Sequence, residues 1–154
     1  MSNQTIENML IEWQCQKLVT RSINLLDQGH WQELANCYAE DGELYCPSAP
    51  TVKIEGRDAI LESFTSRPAK ETCHALTNIE ANIINEGLVV VTSRVVLFAA
   101  NKKAEGIESM VQANADIFIG RFIDEITSVS GEWLIAKRQG SIELHYKGTS
   151  DKTG

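Results

Sequence analysis

The sequence predicts an α+β domain in which three N-terminal helices pack on a strongly curved, mostly antiparallel sheet, making a cone-shaped α+β barrel. Three observations carry this. Apolar residues recur at helical spacing over roughly the first 40 residues, and from Thr72 onward the period changes to two. Between the two regimes fall all three prolines, Pro47, Pro50 and Pro68, so irregular structure is confined to one stretch.

Ile6, Met9, Leu10, Trp13, Leu18, Ser22 and Leu25 mark the apolar face of a long first helix. Gly29 is the first helix-breaking residue and reads as its stop. Trp31, Leu34, Ala35 and Tyr38 supply the face of a short second helix. Asp41-Gly42 is a predicted turn, and Glu43-Leu44-Tyr45-Cys46 a short strand. The run Gly56–Phe64 predicts a third helix, ended before Pro68 because the residue preceding a proline avoids helical angles. Thr72–Asn85, Leu88–Ala100, Val111–Ile126 and Glu132–Leu144 are four long β-prone stretches. Glu86-Gly87, a Lys/Glu/Gly segment around Gly106, and Ser130-Gly131 connect them; such short links imply antiparallel neighbours. Strands this long must twist and coil, so helices covering the concave face would leave a pocket. Residues 1–147 form one domain, followed by a loose polar tail at 148–154.

Composition excludes several function classes. The chain has 154 residues, 43% hydrophobic, which is too apolar for disorder and enough for one core. No apolar run reaches the roughly 18–20 residues of a membrane span. A net charge of −7 without a basic block argues against binding nucleic acid or an anionic membrane. Cys15, Cys37, Cys46 and Cys73 form no CxxC pair and no Cys/His cluster at metal-binding spacing. With no secretory signal at the N-terminus, they read as free thiols in a reducing cytoplasm. No metal and no cofactor is expected.

Triads, phosphate-binding loops and nucleophile elbows are absent, leaving ionisable side chains as the informative groups. Histidine changes charge near neutral pH. His30 falls at the corner between the first two helices, and His145 at the end of the last strand. His74 lies at the start of the first long strand, where a strand end meets the rim of a pocket. Its parity raises a conflict. His74, Leu76, Asn78, Glu80 and Asn82 share one face, while Cys73, Ala75, Thr77, Ile79, Ala81 and Ile83 share the other and are the more apolar set. Either a bulge switches faces beyond His74, or the apolar set packs into a subunit interface.

Asp27-Gln28-Gly29-His30-Trp31, Tyr38-Ala39-Glu40-Asp41-Gly42, Gly56-Arg57-Asp58-Ala59-Ile60 and Arg67-Pro68 before Thr72-Cys73-His74-Ala75-Leu76-Thr77-Asn78 resemble the SnoaL-like group. So do Gly120-Arg121-Phe122-Ile123-Asp124 and Gly131–Arg138. That group belongs to the nuclear transport factor 2-like (cystatin-like) superfamily, and the resemblance spans roughly residues 5–145. Two enzymes of the superfamily, scytalone dehydratase and lindane dehydrochlorinase, pair an Asp ending the first helix with a His beginning the first long strand. The resemblance thus implies Asp27 and His74 as a catalytic pair, with His74 as general base and Asp27 as its orienter. It also implies a homodimer or homotrimer. The second His that scytalone dehydratase carries on a later strand has no counterpart in Val111–Phe118, so dehydration of the full scytalone type is not expected.

The expected activity is a cofactor-independent lyase or isomerase acting on a small, largely apolar organic molecule. Trp13, Tyr45, Phe64, Phe98 and Phe118 are candidate pocket aromatics, and Asn114 and Asp116 share a parity that can face the pocket. Two other classes compete. One is a non-catalytic scaffold like the small subunit of aromatic-ring-hydroxylating dioxygenases. The other is a ligand-binding domain without chemistry.

Overall fold

A computed structural model describes residues 2–101 and 110–148; the predicted connection around Gly106 and the tail from residue 149 lie outside these. The elements follow in the order α1 (Asn3–Gln28), α2 (Trp31–Asn36), β1 (Tyr38–Tyr45), β2 (Ile54–Glu55), α3 (Arg57–Thr65), β3 (Lys70–Asn85), β4 (Leu88–Asn101), β5 (Ile117–Val129) and β6 (Glu132–Tyr146). They make an α+β fold with one six-stranded sheet, ordered β2-β1-β6-β5-β4-β3. Every pairing is antiparallel except β1 with β6, which is parallel. None of the helices is long and apolar enough to cross a membrane.

Ser2 starts α1 by accepting a hydrogen bond from the Thr5 amide at 3.2 Å. Gly29 ends it at φ 72°, where its amide donates to Leu26 and the His30 amide to Leu25. That pair of back-bonds is a Schellman stop, and it rigidifies the last turn, which carries Asp27. Only the C-terminal part of α1 is buried, through Cys15, Val19, Ser22, Ile23 and Leu25. Ile6, Met9, Leu10 and Trp13 are each more than half exposed, contrary to the continuous apolar face the spacing predicts. A 26-residue helix spans about 39 Å, and its contribution to the core begins only at Ile11 and Cys15.

α3 is tied to β1 by Arg57, whose Nε and Nη2 both donate to the Tyr38 carbonyl at 3.0 and 2.7 Å. Trp31 of α2 stacks on Phe64 of α3 at 5.8 Å, closing the helical layer. The principal core runs from Cys15 and Val19 through Leu34, Tyr38 and Leu44 to Val89, Val91, Ile126 and Ile135. All four cysteines are free thiols, three buried and Cys73 exposed.

Two boundaries differ from the sequence reading. Asp41-Gly42 is no turn: both residues lie inside β1, which begins at Tyr38, and they occupy an irregular step in its register with β6. β5 starts at Ile117 rather than Val111, because residues 111–116 run beside the sheet with the Asn114 amide bonded to Ala99.

The parity conflict on β3 is resolved by a bulge. Thr77 pairs with Arg94 and Glu80 with Thr92, so two residues of β3 oppose one of β4. Asn78 takes up the extra residue at φ 52°, a left-handed conformation that Asn tolerates better than most side chains. Before it, Thr72, His74 and Leu76 are shielded; after it, Ile79, Ala81 and Ile83 are.

Candidate active site

The sheet and helices enclose a cavity of about 310 Å³, at the small end of ligand-binding pockets. Its wall is mainly apolar, with contributions from Leu26, Phe64, Val95, Phe118 and Phe122. His74, Arg138, Tyr38, Arg67, Ser48 and Ser141 add polar groups.

His74, a residue of this wall, meets Asp27 of α1. The Asp27 Oδ1 lies 2.6 Å from His74 Nδ1, and Oδ2 accepts the His74 backbone N–H at 2.8 Å. Thr72 Oγ1 donates to Oδ1 at 2.8 Å. Thr72 and His74 reach the same carboxylate because side chains two apart on a strand share a face. The contact has a local logic. A carboxylate in the last turn of a helix opposes the helix dipole, and three donors from β3 offset that cost. Burial pushes the Asp27 pKa up, but hydrogen bonds from the His74 ring, the His74 amide and the Thr72 hydroxyl, with the His74 charge, outweigh it. The net effect holds Asp27 below its ordinary value. An ionised Asp27 fixes the tautomer with hydrogen on Nδ1, which leaves Nε2 as the lone-pair nitrogen.

Arg138, which also lines the cavity, belongs to a buried ion pair. Arg138 donates from Nε to Asp124 Oδ1 at 2.6 Å, and from Nη2 to Asp124 Oδ2 at 3.2 Å and Ser22 Oγ at 2.9 Å. Burial pushes the guanidinium pKa down, yet the Asp124 charge outweighs it and holds Arg138 charged. Tyr38 is fully buried beside this pair, and its hydroxyl has no hydrogen-bond partner among the described residues. Burial raises its pKa to about 12, so it stays neutral.

Of the expected pocket residues, Phe64 and Phe118 line the cavity. Tyr45 does not: its two neighbours, Leu44 and Cys46 just past the end of β1, are buried, and Tyr45 lies between them beneath Lys137 Nζ at 5.4 Å from its ring. Trp13 stands exposed on α1, under Lys17 Nζ. Asn114 is exposed in the segment before β5, and Asp116 pairs with His145 Nε2 at 3.0 Å at the surface. Phe98 is also exposed. His145 stacks on Phe118 at 4.5 Å, whereas His30 stays at its exposed corner near Glu33. Among the described residues, no three His, Cys, Asp or Glu side chains are grouped so as to hold a metal.

Arg138, Asp124, Tyr38 and Arg67 escaped the sequence reading. A signal existed for one of them: Asp124 falls on the same parity as Gly120, Phe122 and Ile126, an acid on an otherwise apolar face.

Residues 7–139 match the SnoaL-like domain. The chain belongs to the SnoaL-like family. Solved structures of the nuclear transport factor 2-like, cystatin-like fold align over nearly its whole length. One is a Novosphingobium aromaticivorans protein named after scytalone dehydratase, at 22% identity and a TM-score of 0.73, covering 95% of this chain and 93% of that one. Another is a type 2 hexachlorocyclohexane dehydrochlorinase, at 16% identity and a TM-score of 0.77, covering 96% and 94%. A third, an NTF2-like protein from Novosphingobium aromaticivorans, aligns at 15% identity and a TM-score of 0.67, covering 90% and 86%. At these identities the likeness establishes the fold. No curated protein matches by sequence.

Proposed function

We propose that the chain is a cofactor-independent lyase or isomerase acting on a small, largely apolar organic molecule held in the cavity. The observation that carries this is the 2.6 Å contact of Asp27 with His74, which lines the cavity. His74 Nε2 takes a proton from a carbon of the substrate. The freed electron pair forms a carbon–carbon double bond as hydroxide or halide departs, or it returns to another carbon in an isomerisation. Asp27 stabilises the imidazolium formed in that step and does not itself take the proton. Arg138 Nη1 makes no hydrogen bond among the described residues, so it is a donor for charge developing on the departing group. The structural relatives named for a dehydratase and a dehydrochlorinase support the same reaction class.

Proton abstraction is measurable before the physiological substrate is known. Cyclic ketones incubated with the protein in D₂O should exchange carbon-bound hydrogen faster than in buffer, followed by NMR. His74→Ala should reduce that rate about 10²- to 10⁴-fold. Exchange persisting in the variant at near wild-type rate would rule out His74 as the base.

A further inference from the structure

The cavity mouth holds a cation that the proposed chemistry does not use. Arg67 lies just beyond α3, at the rim formed with Pro47 and Ser48. Its guanidinium carbon sits over the ring of cavity-lining Phe64, 4.7 Å from the centroid. Nη2 donates to the Cys46 thiol at 3.0 Å. Exposed at this rim, Arg67 has no carboxylate partner among the described residues, whereas Arg21 pairs with Glu33, Arg94 and Arg121 with Glu143, and Arg138 with Asp124, and Arg57 is held by the Tyr38 carbonyl. Sulfur is a weak acceptor, so a guanidinium that meets only a thiol and an aromatic face keeps most of its donor capacity.

From this arrangement we infer that the cavity takes an organic anion: an apolar body inside, and a carboxylate or comparable planar anionic group on Arg67 at the rim. A guanidinium fork matches a carboxylate in a bidentate geometry, with the Ser48 hydroxyl at the same rim as a further donor. Phe64 serves both partners, offering its face to the cation and its edge of the wall to the ligand body. Arg67 is therefore a specificity-determining residue. The inference rests on the cavity being the substrate site proposed above and adds the substrate's charge.

A matched probe pair tests it: 2-naphthoate and its neutral methyl-ketone counterpart, 2-acetylnaphthalene, titrated into the full chain by calorimetry. The wild type should bind the carboxylate about tenfold more tightly, and this preference should shrink with added salt. Arg67→Gln should bring the ratio to about one while leaving the ketone's affinity unchanged. Arg67→Lys should restore part of the preference, because it keeps the charge and loses the fork. His74→Ala should retain the preference, which separates the rim cation from the dyad. Equal binding of both probes by the wild type, or a preference surviving in Arg67→Gln, overturns the inference and leaves the cavity reading standing. Binding of neither probe overturns both.

Discussion

Thr72→Val removes one of the three donors to Asp27 while keeping the side chain's shape and strand preference. A hydrogen bond to a charged group contributes about 1.5–3 kcal/mol when buried. The Asp27 side chain is 23% exposed, which brings the expected loss to about 1–2 kcal/mol at neutral pH. For a chain of this size that is a fall in Tm of roughly 2–6 °C. The pH dependence makes the assay specific. Asp27 has a folded pKa below its unfolded value of about 3.9, so its stabilisation is fully present above that value. It is lost as pH falls through the folded value. Urea unfolding at several pH values should therefore show wild type and variant far apart at pH 7 and converging as Asp27 protonates. A deficit that keeps its full size below the folded pKa of Asp27, located by NMR titration of its carboxyl carbon, would show that Thr72 acts through packing alone, and would refute the assignment of its hydroxyl to the carboxylate.

Arg138→Met strands the Asp124 carboxylate at 0% exposure and should cost about 3–5 kcal/mol in urea unfolding; the double variant Arg138→Met/Asp124→Leu should recover most of it. A double variant no more stable than the single would show that the pair is not an isolated unit. Tyr38→Phe removes a buried hydroxyl without a partner and should stabilise the ligand-free protein by about 1 kcal/mol, read by the same unfolding. A loss of stability would mean that the hydroxyl is hydrogen-bonded after all.

Much of the fold was legible because its signals are local. The Gly29 stop, the α3 boundary and the turns at Glu86-Gly87 and Ser130-Gly131 follow from glycine and proline chemistry that neighbours do not override. The errors arose where tertiary context decides. Ile6 to Trp13 have helical spacing whether or not anything covers them, and alternation through Val111, Ala113 and Ala115 says nothing of whether a partner strand is present. In the site, Asp27 and His74 stood out through motif resemblance, since residues 47 apart carry no mutual spacing signal. Thr72 follows once His74 is placed, being two residues away on the same face. Arg67 and Cys46 meet only through the path of the irregular segment, which sequence patterning does not describe.

The Asn78 bulge divides β3 into two stretches that answer to different demands. Before it, Thr72 and His74 address Asp27 and the cavity, with Leu76 behind them on the core; after it, Ile79, Ala81 and Ile83 address the core alone. A continuous strand would bind the two sets to one alternation, and any change of register would move both together. With the reversal at Asn78, the chemical half is free to diverge residue by residue while the supporting half keeps its apolar identity. The same hinge in the pattern makes deletion of Asn78 a severe lesion: it would restore strict alternation and send His74 to the outer face whenever the core half stays seated.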